Sequence, residues 1–125
     1  MRRLWAIVPV VIVLGAGAFL LHQRAEMKRR EQAARVEALR ANLAQIRASI
    51  ANFHQDNNRY PYSLEELVPK YLRRIPVDPI TNSASWRPTT EETVQPSDDF
   101  SASTAPKTAS VIIDVHSTAP GYTDY

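Results

Sequence analysis

Three hydrophobic patterns follow one another along the chain. From Leu4 to Leu21, LWAIVPVVIVLGAGAFLL, eighteen residues pass without a charge. As a helix this run covers about 27 Å, enough to cross the hydrocarbon core of a bilayer. A cleavable signal peptide has a similar outline, with the small residues Ala16 to Ala18 as its cleavage site, and a buried core helix is a third reading. Helix-forming sequence continues without a break from Arg24 to Leu39, which favours a retained anchor. Little else in the chain is apolar enough to wrap an all-round apolar cylinder. Pro9 lies two turns in and is expected to bend the span.

The second pattern has helical period. After the charged stretch RAEMKRREQAAR, residues 24–35, the apolar positions Val36, Leu39, Leu43, Ile46, Ile50 and Phe53 recur at steps of three and four, which puts them on one face. Fewer than three heptads are present, so the stripe is expected to dock on its own chain rather than form a free coiled coil. Asn57, Asn58 and the Tyr60-Pro61 pair then stop the helix, because Asn tolerates the left-handed conformation and the residue before Pro is held extended. Ser63 and Glu66 read as a capping box that starts a second helix, with Leu64, Leu67, Val68, Tyr71 and Leu72 on its apolar side and a break at Pro69.

The third pattern is β-like. Val111 to Val115, VIIDV, is the strongest strand, and the residues around Trp86 form a weaker one that Pro88 confines to an edge. Residues 89–110, rich in Ser, Thr, Pro and acidic side chains, are expected to form a flexible loop with at most a short strand near Val94. The predicted fold class is α+β, a long N-terminal helix packed at its C-terminal half on a short helix and a small antiparallel sheet. The organisation that follows is an anchor over 1–23, a charged juxtamembrane helix over 24–35 and a head over 36–125.

Charge and chemistry change this picture little. Residues 1–40 carry eight Lys/Arg against three Glu, whereas residues 41–125 carry seven against ten acidic residues. The basic half is the apolar half, and with no aromatic residues among its charges to stack bases it suits lipid headgroups better than nucleic acid. Arg2 and Arg3 before the span and Arg24, Lys28, Arg29 and Arg30 after it give opposite orientations. Cysteine is absent, so thiolate metal sites and thiol nucleophiles are excluded. His22, His54 and His116 lack metal-ligand spacing, and Ser63 has no base placed by sequence to activate it. No catalytic residue, cofactor site or small-molecule substrate is expected.

The stretch LRANLAQIRASIANFHQDNNRYPYSLEELVPKYLRRIPVDPITN, a tryptophan, and then IIDVHS before a Gly-Tyr tail resemble the type IV pilin superfamily. More narrowly they resemble the G-type, major pseudopilin of type II secretion systems. The likeness covers residues 36–86 and 111–125, and it is carried by Tyr60, Pro61, Ser63, Glu66, Pro76, Asp78 and Pro79. It implies a pilin-like fold in a single-pass protein of the bacterial inner membrane, with its N-terminus cytoplasmic and its head periplasmic. It also implies partnership with other pseudopilin or secretion-system subunits in a filament that helps export folded proteins. The alternative is a non-polymerising, membrane-tethered adaptor or minor component of a related envelope machine. Members of the family also bind calcium near the C-terminal strand, and Asp114, Ser117 and Asp124 stand in that neighbourhood. The family's leader Gly is missing, and with Leu4 as first position Val8 replaces its membrane-embedded Glu. Since an intramembrane carboxylate costs roughly 2.5 to 3.5 kcal/mol at the span centre, the expectation is an unprocessed anchor, retained rather than extracted.

Overall fold

The run of apolar and strong helix-forming residues does fold as one helix. The computed structural model describes the backbone of residues 4–94 and 108–125, and side chains from Pro9 onward within those ranges. Helix α1 spans Leu4–Asn57 and carries Pro9 within it. The chain divides into two units, Met1–Arg35 and Val36–Tyr125, and α1 contributes to both.

In the first unit every residue from Pro9 to Ala25 is exposed. The following turns support themselves through ion pairs along the helix surface, Arg29 with Glu26 at 3.8 Å and Arg35 with Glu31 at 2.7 Å. Pairs three or four residues apart stabilise a helix that has no tertiary partner.

The second unit is built on the stripe. Leu39, Leu43, Ile46, Ile50 and Phe53 are buried, and Val36, at the start of the unit, is half-buried. The five buried residues pack with Leu67, Leu72, Trp86, Ile112 and Val115 in one core. Burying each such side chain stabilises the fold by about 1.5 to 3 kcal/mol. The helix stops where expected. Asn58 takes the left-handed conformation, φ 54°, and its N–H donates to the His54 carbonyl at 2.9 Å, while the Asn57 side chain donates to the Phe53 carbonyl at 2.8 Å.

The expected second helix is only a single 3-10 turn, Leu64–Leu67. Val68, immediately before Pro69, is extended with φ −95° and ψ 137°, as the proline ring demands, and the helix ends there. The Val68-Pro69 peptide is cis. Leu67 and Leu72 still reach the core, because the Tyr71 and Leu72 N–H groups both donate to the Leu67 carbonyl, at 2.8 and 2.9 Å, and fold the chain back.

Two antiparallel strands complete the unit: β1, Trp86–Val94, and β2, Thr108–Ser117. Trp86 pairs with Ser117 and Val94 with Thr108. The register shifts at Thr89/Thr90, whose partners are Asp114 and Ile112, so Ile113 is left over as a bulge. Both strands are longer than the sequence suggests. Residues 92–94 and 108–110, all expected in the loop, pair with each other, and 89–91 pair within 111–114, because threonine and valine suit a ladder even where no core supports them. The rest of the expected loop, 95–107, lies outside the described residues.

Candidate functional site

The residues that carried the family resemblance fall into two groups, and both are structural joints. The first is the corner after α1. Pro61 is buried, and its carbonyl accepts the Ile112 N–H of β2 at 2.7 Å. The Tyr60 ring meets His54 edge-on at 4.1 Å between centroids. Ser63 does stand at the start of the 3-10 turn, but the reciprocal capping box does not form. The Glu66 N–H bonds the Ser63 carbonyl at 3.3 Å, and this i to i+3 bond of the tighter helix occupies the amide that the hydroxyl was expected to cap. Glu66 instead accepts the Tyr62 N–H at 2.8 Å and pairs with Arg59 at 2.8 Å. The carboxyl of Glu65 is held below its usual range by a main-chain hydrogen bond and by the Ser63 hydroxyl.

The second group is the loop from Pro76 to Ser83, and its hub is Asp78. This carboxylate is fully buried. One oxygen accepts the Ile80 N–H at 2.7 Å and the Thr81 N–H at 3.4 Å, and the other accepts the Ser117 hydroxyl at 2.5 Å. Its own N–H donates to the Ser83 carbonyl and its carbonyl accepts the Asn82 N–H, both at 2.8 Å. Pro79 fixes φ for the residue after the hub, and Asn82 closes the turn with φ 55°. The Pro76 carbonyl accepts the Trp86 indole N–H at 2.9 Å. A buried carboxylate is tolerated only when its acceptor capacity is met, and here it is met by donors from the loop and from β2. The loop is thereby locked to the start of β1 and the end of β2.

A third cluster joins the helix to the sheet. Arg47, beside the stripe on α1, donates to Asp114 at 2.7 Å and to the Val115 carbonyl at 3.0 Å. Partial burial is the strongest influence on Asp114 and works against its charge. The Arg47 hydrogen bond, the Val115 N–H and the charges of Arg47 and His116 outweigh it together and hold the carboxyl below its usual range. His116 lies 3.5 Å from Asp114 through Nε2 and meets the Tyr125 carbonyl oxygen at 3.1 Å through Nδ1. Near the end of α1, Lys70 and the Tyr71 hydroxyl both bond Asp56, at 3.0 and 2.9 Å, and they hold its carboxyl low.

The calcium site that the resemblance implies does not fit this arrangement. The Asp114 carboxylate is committed to Arg47 and the Val115 N–H, and the Ser117 hydroxyl donates to Asp78 while accepting the Ala119 N–H. Asp124 is exposed, and among the described residues no three His, Cys, Asp or Glu side chains gather as a metal-binding group.

Sequence reasoning passed over Arg47 and Asn42, whose side chain donates to the Val77 carbonyl at 2.9 Å. Their only sequence signal is position: both directly flank stripe residues, so their side chains border whatever covers the stripe.

The remaining unusual surface is α1 itself. Val10, Ile12, Val13, Leu14, Phe19 and Leu21 are 55 to 69% exposed, in a helix long and apolar enough to cross a membrane. No protein-family model, curated protein or solved structure matches the chain.

Proposed function

We propose that the chain is a membrane-anchored structural subunit of pilin-like design, a pseudopilin-like component of a type II secretion assembly acting in protein export. On this reading its N-terminus is cytoplasmic and its head periplasmic at a bacterial inner membrane. One observation carries the proposal. A single helix is apolar on all sides over its first turns, then buries one stripe in a small α+β head whose proline-rich loop is tied to the last strand through Asp78. The described chemistry also suits a structural role, since its buried side-chain polar groups all have partners: Asp78 and Ser117 tie the loop to β2, and Ser49 bonds the Gln45 and Tyr71 carbonyls.

A non-polymerising adaptor is the second reading, and Val8, in place of an intramembrane carboxylate, favours it. Single cysteines placed along Val8 to Gly17, oxidised in native membranes, separate the two. Regular ladders of multimers support the assembly subunit. Monomers at every position overturn it and leave the adaptor.

A further inference from the structure

In the first unit the acidic side chains are paired and several basic ones are not. Residues 24–35 carry five Lys/Arg and two Glu. Glu26 pairs with Arg29, and Glu31 with Arg35. Arg24, Lys28 and Arg30 have no partner among the described residues. The unpaired charges are not spread evenly around α1. Leu20, Gln23, Arg24, Met27 and Lys28 follow one another at steps that return to the same face, whereas Arg30, two residues past Lys28, points elsewhere. Together with Leu21 and Ala25 these five line one shallow groove along the helix. Leu20, Leu21 and Met27 are 58 to 69% exposed. The groove thus joins an apolar floor to two unneutralised cations.

Its depth identifies what fills it. At 1.5 Å per residue, Arg24 lies about 4.5 Å and Lys28 about 10.5 Å beyond Leu21 along the axis. The headgroup layer on each side of a bilayer is about 5 to 7 Å thick. Helical side chains lean toward the N-terminus, and Lys lays its carbon stem along apolar surface with the charge at its tip, so the Lys28 ammonium reaches back toward the depth of Arg24. We propose that this groove binds an anionic phospholipid of the membrane that holds the span. The phosphate sits between Arg24 and Lys28, the Gln23 amide donates to the headgroup oxygens, and an acyl chain runs along Leu20 and Leu21 with Met27 against its first carbons. A zwitterionic lipid brings a cation of its own to two cations that have no neutralising acid. A soluble phosphate satisfies the charges but leaves Leu20, Leu21 and Met27 in water. An anionic lipid meets both requirements, and the neighbouring span keeps the groove among lipids.

The lipid site rests on the membrane-anchor reading and is independent of the secretion one. A cation near an anionic lipid surface contributes about fivefold in affinity, so two give a preference of about twentyfold. Full-length protein in dodecyl maltoside micelles, titrated with fluorescent phosphatidylglycerol and with fluorescent phosphatidylcholine, is expected to show that preference. Arg24→Gln and Lys28→Gln should each cut it about fivefold and together abolish it, Lys28→Arg should keep it, and Arg30→Gln should change it less than about twofold. Soluble glycerol phosphate in excess should not displace the lipid. These side chains are exposed, so the variants keep the parent's unfolding midpoint. Equal affinity for the two lipids, or an equal loss through Arg30→Gln and Lys28→Gln, overturns the proposal. Displacement by glycerol phosphate also overturns it and gives the groove to a soluble anion. Carbonate extraction tests the anchor separately: a retained protein without lipid preference sinks the lipid site alone, and a released one sinks the anchor and the site with it.

Discussion

Leu14 and Leu43 are the same residue in the same helix, yet the first is 68% exposed and the second 1%. The difference lies in what surrounds them in sequence. Leu14 sits in a run that is apolar on every side of the helix, and no other described part of the chain covers it. Leu43 sits in a one-sided stripe, and the strands and the loop after Asn58 close over that side. A leucine left in water forgoes about 1.5 to 3 kcal/mol relative to one that is buried. A run of them requires cover from outside the chain, which a bilayer provides for a segment of this length. One continuous helix is thus written for two solvents.

Breaking the comparison at its strongest point means removing one leucine from each stretch. Leu43→Ala is expected to destabilise the head by about 3 to 5 kcal/mol, because it deletes buried atoms and leaves a cavity. Leu14→Ala is expected to leave the head's urea midpoint unchanged in detergent micelles. Equal shifts would mean that the exposed run also packs within the protein. The converse substitution is Ile12→Arg, which costs about 2.5 to 3.5 kcal/mol of membrane insertion. Carbonate extraction should release this variant from membranes while its head unfolds at the parent's midpoint; retention with a lowered midpoint would reverse the assignment.

Within the head, the comparison sharpens to apolar against polar burial. Asp78→Ala removes the acceptor of Ile80, Thr81 and the Ser117 hydroxyl together, and strands the buried Ser117 donor and the part-buried main-chain ones. A loss of about 2 to 3 kcal/mol is expected by urea unfolding. Asp78→Asn, which keeps one acceptor oxygen, should lose less. Equal losses would mean that the side chain acts by volume alone.

How far these features were legible in sequence depended on how local their causes are. The stripe of α1 was readable because helical period and burial coincide over five of its six positions, Leu39 to Phe53, with Val36 half-buried at its start. The stop at Asn58 was readable from residue chemistry at the site itself. The capping box failed because its motif is shared by two geometries, and Pro69 fixed the shorter 3-10 one. The strands beyond Thr89 were missed because their support is the partner strand, which no local pattern announces. Asp78 was marked by resemblance alone; its role depends on Ser117, thirty-nine residues away. Arg47 was invisible for the same reason, with its partner sixty-seven residues distant.

That Arg47 to Asp114 pair gives the smallest and most pH-selective test. The folded-state carboxyl titrates below its unfolded value, so its contribution to stability is fully present above about pH 4, the unfolded range. It is lost as pH falls through the lower folded value. The head's urea midpoint should therefore decline on acidification below about pH 4. Asp56 and Glu65, also shifted down, add to the same slope from the surface. Arg47→Met isolates the pair, since it keeps hydrocarbon bulk and removes both hydrogen bonds. It should cost about 1 kcal/mol or less at neutral pH, because both side chains are part-exposed and screened, and should flatten the acid decline. Nothing in the stretch from Pro9 to Leu21 titrates, so membrane retention measured over the same pH range should stay level for parent and variant alike. A retention that fell with acid in step with the head's midpoint would show the two stretches to be coupled, and a decline of full slope in Arg47→Met would move its origin from Asp114 to the surface carboxylates.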